Sequence, residues 1–122
     1  MNVPGVLTKE PEVMQKIQIA HELGFPVDGH APGLRGEEAD RYGSAGISTD
    51  HECLTLAEAQ DKLHAGIKIL IREGSAAKNF AALHPLIPSD FERCMFCSDD
   101  KHPNDLVKGH INDLVRRSLD LG

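Results

Sequence analysis

Apolar positions along this chain switch repeatedly between a helical period and short strand-like runs. Val13, Met14, Ile17, Ala20 and Leu23 recur at helical spacing and predict a helix over residues 9–23. Thr8 can cap it, Pro11 is tolerated in its first turn, and Gly24 is its stop. Phe25-Pro26-Val27-Asp28 then reads as a short strand. Gly33 and Gly36 mark a loop, and residues 36–43 suit a short helix. Gly46-Ile47-Ser48-Thr49 predicts a second strand. Thr55-Leu56-Ala57-Glu58 has the pattern of a capping box, in which each of the two polar side chains bonds the other's backbone amide. It opens a helix that ends at Gly66. Ile67-Lys68-Ile69-Leu70-Ile71 is the clearest strand, nearly continuous and apolar, as expected of a parallel strand covered on both faces. A short helix is expected near 76–84, broken by Pro85 and Pro88. Cys94-Met95-Phe96-Cys97 is a fourth strand. The last helix spans 104–121, with Leu106, Val107, Ile111, Leu114, Val115 and Leu119 on its inner face.

One helix followed by four βα units predicts an α/β fold with parallel strands and right-handed crossovers. No linker, low-complexity tract or repeat interrupts the pattern, so residues 1–122 are expected to form a single unit. That length suits one small domain, whereas a full eight-stranded barrel needs roughly 250 residues. The net charge of −6 argues against a nucleic-acid binder. No apolar run is long enough to span a bilayer. The first residues lack a secretion signal, and three cysteines give no disulfide framework, so a cytoplasmic location is expected.

The candidate chemistry lies just past the predicted strands. His30 follows Val27-Asp28-Gly29, His51 follows Ile47-Ser48-Thr49-Asp50, and Asp99 and Asp100 follow the fourth strand. Histidines and carboxylates at successive strand ends are how α/β barrels build an active site. They are also usual ligands for zinc, iron or manganese. Bland alternatives stay open for each. His30 can be a surface turn residue and His51 part of a solvated loop. The acidic pair can cap the last helix, although Asn104 suits that task better. Arg72-Glu73-Gly74-Ser75 lies either at the same mouth or in a charged loop that caps a helix. Cys94 and Cys97 have CxxC spacing, but positions i and i+3 of a strand point to opposite faces, so they read as core residues. His21, His64, His84 and His110 fall on or beside predicted helices and are expected to have no chemical role.

Four segments in order carry a resemblance. They are Val27 to Leu34 (VDGHAPGL), Gly46 to Glu52 (GISTDHE), Ile71 to Asn79 (IREGSAAKN) and Ser98 to Pro103 (SDDKHP). Together they resemble the bacterial adenine deaminases of the amidohydrolase superfamily, over essentially the whole chain. The resemblance implies half of a (β/α)8 TIM-type barrel, strands five to eight, as about four parallel βα units. It implies hydrolysis of adenine to hypoxanthine and ammonia at a metal site, with manganese or iron and zinc as the next choice. His30, His51 and Asp99 would be metal ligands. Asp99 would also be the catalytic base, Glu52 a proton donor to the ring, and Asp100 a substrate-binding residue.

The chain departs from the family where the His-x-His pair of strand one, the bridging glutamate of strand four and the flanking β domain would lie. At most one divalent ion is therefore expected, and the chain alone should be inactive or weakly active. The alternative is a non-catalytic orphan half-barrel that oligomerises and holds one ion. Beyond adenine, the partner is expected to be the missing barrel half or a second copy, most simply in a dimer. That follows because Val27, Ile47, Ile69, Ile71 and Phe96 are candidates for an uncovered inward face.

Overall fold

The computed structural model describes residues 1–122. Four parallel strands lie side by side in sequence order. They are β1 (Asp28–Gly29), β2 (Thr49–Asp50), β3 (Lys68–Arg72) and β4 (Cys94–Cys97). Eight helices complete the chain: α1 (Val3–Leu7), α2 (Pro11–Glu22), α3 (Gly36–Ser44), α4 (Leu56–His64), α5 (Phe80–Leu83), α6 (Ile87–Asp90), α7 (Pro103–Leu106) and α8 (Ile111–Leu121). The alternation of helix and strand is the one the sequence predicts. β1 and β2 are only two residues each, shorter than the apolar runs suggested. Their pairing is continued by Ser48 N–H donating to Val27 O and Lys68 N–H to Ser48 O. No helix is long and apolar enough to cross a membrane.

Several local expectations change. Thr8 does not cap α2; it ends an unpredicted helix, α1, and its hydroxyl donates back to Pro4 O. Asn2 caps α1 by accepting from Gly5 N–H. Half of the capping box forms: Thr55 Oγ1 accepts from Glu58 N–H, but Glu58 turns inward and accepts from Leu54 N–H and Gly33 N–H instead. α5 ends at Leu83, just before Pro85, as expected, but the chain goes on as a 3-10 turn and then α6 rather than as a loop; Pro85 and Pro88 lie within these two. They sit in the first turn of each, where a missing N–H costs nothing. The last helix is two pieces, separated at Val107–His110. Asn104 is not its cap; His102 occupies that position of α7 and His110 that of α8. Of its expected inner face only Leu114 is buried, while Val107 is 86% and Leu119 77% exposed. α8 is fastened by mixed contacts instead. Arg117 lies over the Phe80 ring at 4.1 Å and pairs with Glu73 at 3.1 Å.

The helices cover one face of the sheet. Ile69 and Ile71 are fully buried with Ala59 and Leu63 of α4 and with Phe80 and Leu83 of α5. Val27 and Ile47 lie in a second cluster with Val6, Val13 and Ile17. Phe96 packs partly buried against the first of these. This corrects the expectation that Val27, Ile47, Ile69, Ile71 and Phe96 form a bare face. Strand period is two, so a face assigned one residue out of step exchanges inside and outside. The other face carries Asp28, Thr49, Lys68, Leu70, Arg72, Met95 and Cys97, which are in step by register. It is more polar than expected, with Leu70 half-buried and Met95 exposed.

Candidate metal centre

Parallel strands bring their carboxyl ends to one edge of the sheet, where α/β proteins place their sites. His30 lies one residue past β1, His51 and Glu52 directly past β2, Arg72 at the end of β3, and Asp99 two residues past β4. The structure brings His30, His51 and Glu52 together. His30 Nδ1 is 3.3 Å from His51 Nε2 and 3.3 Å from Glu52 Oε1, and His51 Nε2 is 3.3 Å from Glu52 Oε1. These three atoms form a triangle of equal edges. Four ligands set tetrahedrally at 2.0–2.1 Å from a zinc ion stand about 3.3–3.4 Å apart. Two imidazoles and a carboxylate at that spacing fit a divalent ion with a further position open.

The supporting contacts favour the same reading. Asp28 Oδ2 is 2.8 Å from His51 Nδ1, and Thr49 Oγ1 donates to Asp28 Oδ1. A carboxylate on Nδ1 leaves Nε2 as the free acceptor, the arrangement by which outer carboxylates orient ligand histidines. Arg72 grips Glu52 with both terminal nitrogens, Nη1 to Oε1 and Nη2 to Oε2 at 3.0 Å, and Nη1 also donates to Asp99 Oδ2. Only its Nε is buried without a partner. Burial works against the charge of Arg72, but Asp99 and Glu52 outweigh it and raise its pKa. In return the Arg72 hydrogen bond holds Asp99 below the usual carboxylate range. Buried Asn79 joins β3 to the histidine loop. Its Oδ1 accepts from Arg72 N–H at 2.6 Å, and its amide donates to Cys53 O at 3.1 Å.

Asp99 does not join the triangle; it pairs with Arg72 from the neighbouring strand end. Its φ of 44° lies in the left-handed region, which aspartate tolerates better than most residues. Asp100 is exposed and turns to the loop after β3, where a Cβ on Gly74 would stand 2.1 Å from its Oδ1. The Arg72–Ser75 segment divides between its two readings. Arg72 belongs to the site, whereas Ser75 is structural, donating to Asp105 Oδ2 and accepting from His102 N–H. Asp28 and Asn79 escaped the sequence reading. Asp28 alone left a usable signal, since it stands two positions before His30 and so on the same strand face.

Cys94 and Cys97 are free thiols in β4. Burial raises both, Cys97 to about 11, and pushes Cys53 to about 12. None has the depressed pKa of a reactive thiol. Among the histidines set aside, His21 bonds Gly46 O at 2.9 Å and His84 stacks on Phe80. His64 and His110 are exposed.

No protein-family model matches the chain. Individual proteins do. A Salinibacter ruber protein named adenine deaminase is 56% identical over 122 residues, all of this chain and 22% of that protein. A Sulfurovum adenine deaminase is 57% identical over 122 residues, 23% of its length. One from Methanosarcina mazei is 51% identical over 123 residues, 22% of its length. The chain thus spans less than a quarter of the curated relatives it matches.

Proposed function

Because this chain matches a segment of adenine deaminase from end to end, we propose that it is the part of a (β/α)8 catalytic barrel that carries strands five to eight. The reaction is adenine plus water to hypoxanthine plus ammonia. The observation that carries the reading is the equilateral His30–His51–Glu52 triangle at one sheet edge.

His30, His51 and Glu52 would hold one divalent ion, manganese or iron before zinc. When bound, the ion supplies Lewis acidity and an acidified water. Asp28 orients His51 for that task. Asp99 is the base: Arg72 holds its Oδ2, and its free Oδ1 takes one proton of the attacking water and returns it to the departing ammonia. Its pKa, lowered by Arg72, keeps it deprotonated before the proton arrives. Asp100 would hydrogen-bond the purine only after turning from the loop after β3 toward the site. Glu52 accepts on both oxygens from Arg72, so the proton it gives to the ring would first come to it from the attacking water, whose other proton goes to Asp99. The test is a chimera: a full-length relative in which this chain replaces the matching segment. It should convert adenine to hypoxanthine in the presence of Mn²⁺. A folded, metal-loaded chimera without adenine turnover would overturn the assignment.

The open sheet face and the two edge strands belong, in this reading, against the rest of the barrel. Without it a second copy is the simplest cover, since uncovered edges pair readily. Sedimentation of the chain alone should therefore show a dimer that dissociates on dilution. A monomer at all micromolar concentrations would count against the half-barrel.

A further inference from the structure

Behind the metal triangle lies a buried set of charges that the reaction itself does not use. Lys62 of α4 and Asp50 of β2 are fully buried, and Glu58 nearly so. Lys62 Nζ donates to Asp50 Oδ1 at 3.1 Å, to Glu58 Oε1 at 3.0 Å and to Ala31 O at 2.6 Å. Burying three charges is a poor way to gain stability, because apolar residues of the same volume often do as well or better. The remaining contacts of the set suggest another use. Asp50 Oδ2 accepts from Ala31 N–H at 2.9 Å, the residue after His30. Its Oδ1 accepts from Glu52 N–H at 2.8 Å, the residue after His51. Glu58 repeats the pattern one step outward, accepting from Gly33 N–H at 2.7 Å and Leu54 N–H at 3.0 Å. Both ligand loops are thus tied through their backbones to one rigid ionic centre. Gly29 leaves room for it: a Cβ there would stand 2.8 Å from Asp50 Oδ2.

We propose that Asp50, braced by Lys62 and Glu58, is a positioning residue that holds the His30 and His51–Glu52 loops at metal-ligand spacing. The inference rests on the ion site proposed above. Side chains that orient ligands without touching the metal typically contribute ten- to a hundredfold to its affinity.

Cobalt(II) titration of the 122-residue chain, followed by visible absorption, tests this beside thermal melting by circular dichroism. Asp50→Asn and, independently, Gly29→Ala should each weaken cobalt binding about ten- to a hundredfold and alter the cobalt band. A third variant, Asp50→Asn with Glu58→Gln and Lys62→Met, removes all three charges together. It avoids the unpaired buried charge that threatens folding in single variants. It should melt cooperatively, yet bind cobalt as weakly as Asp50→Asn. Wild-type affinity and spectrum in a folded Gly29→Ala or neutral variant would overturn the positioning role and leave the ion site standing. No cobalt binding by the wild-type chain would overturn the ion site and this inference with it.

Discussion

In the chimera, Asp99→Asn should lower kcat for adenine about 10²- to 10⁴-fold, the usual contribution of a general base. Asparagine keeps the size of the side chain and one oxygen that can accept from Arg72. It cannot take a proton. The fold should barely notice, since the Asp99 side chain is 37% exposed and a pair at such a site contributes at most about 1 kcal/mol. KM should change far less than kcat, because the change removes a proton acceptor and not a surface of the binding site. Steady-state kinetics by hypoxanthine formation separate the two. A kcat near that of the parent chimera would remove Asp99 from the mechanism.

Replacing Arg72 with methionine should destabilise the chain by about 3–5 kcal/mol, as expected when one partner of a buried pair is removed. Arg72 is buried, and both oxygens of buried Glu52 depend on it. Methionine fills part of the volume and leaves that carboxylate without its two charged donors. Urea unfolding in the presence of a chelator should show a lower midpoint at unchanged slope. Adding Glu52→Gln to the same chain should recover part of the loss, because the stranded charge is then gone. A single-variant loss below about 1 kcal/mol, typical of exposed pairs, would mean that the Arg72 pair is not a buried one in solution. The same substitution has a kinetic signature. Arg72 depresses the pKa of Asp99, so the acidic limb of kcat in the chimera should move to higher pH when Arg72 is lost.

The sequence reading singled out His30, His51 and Glu52, which the structure brings together, and Asp99, which it sets against Arg72 instead, because glycine stops and apolar runs located the strand ends. It missed the partners for a physical reason. Lys62 and Glu58 stand four apart on α4 and look like an ordinary exposed helical pair. Only the packing of α4 against the loops after β1 and β2 buries them. Arg72 was visible in position, but not in its dual pairing with Glu52 and Asp99, which arrive from two other strand ends. The open-face error came from the same limit. β1 and β2 are two residues each, so alternation had almost nothing to act on, and Val27 and Ile47 were assigned to the wrong side. The last helix failed because its apolar residues suggested one long buried stripe, whereas Lys108-Gly109-His110 interrupts the helix and leaves much of that stripe in solvent.

The central claim is that His30, His51 and Glu52 form one divalent-ion site. Metal analysis after equilibrium dialysis of the chain against Mn²⁺ tests it most directly. One bound ion per chain is expected, weakly held, and none in the His30→Ala, His51→Ala double variant. Equal metal content in the chain and the double variant, or two tightly held ions in the chain, would contradict it.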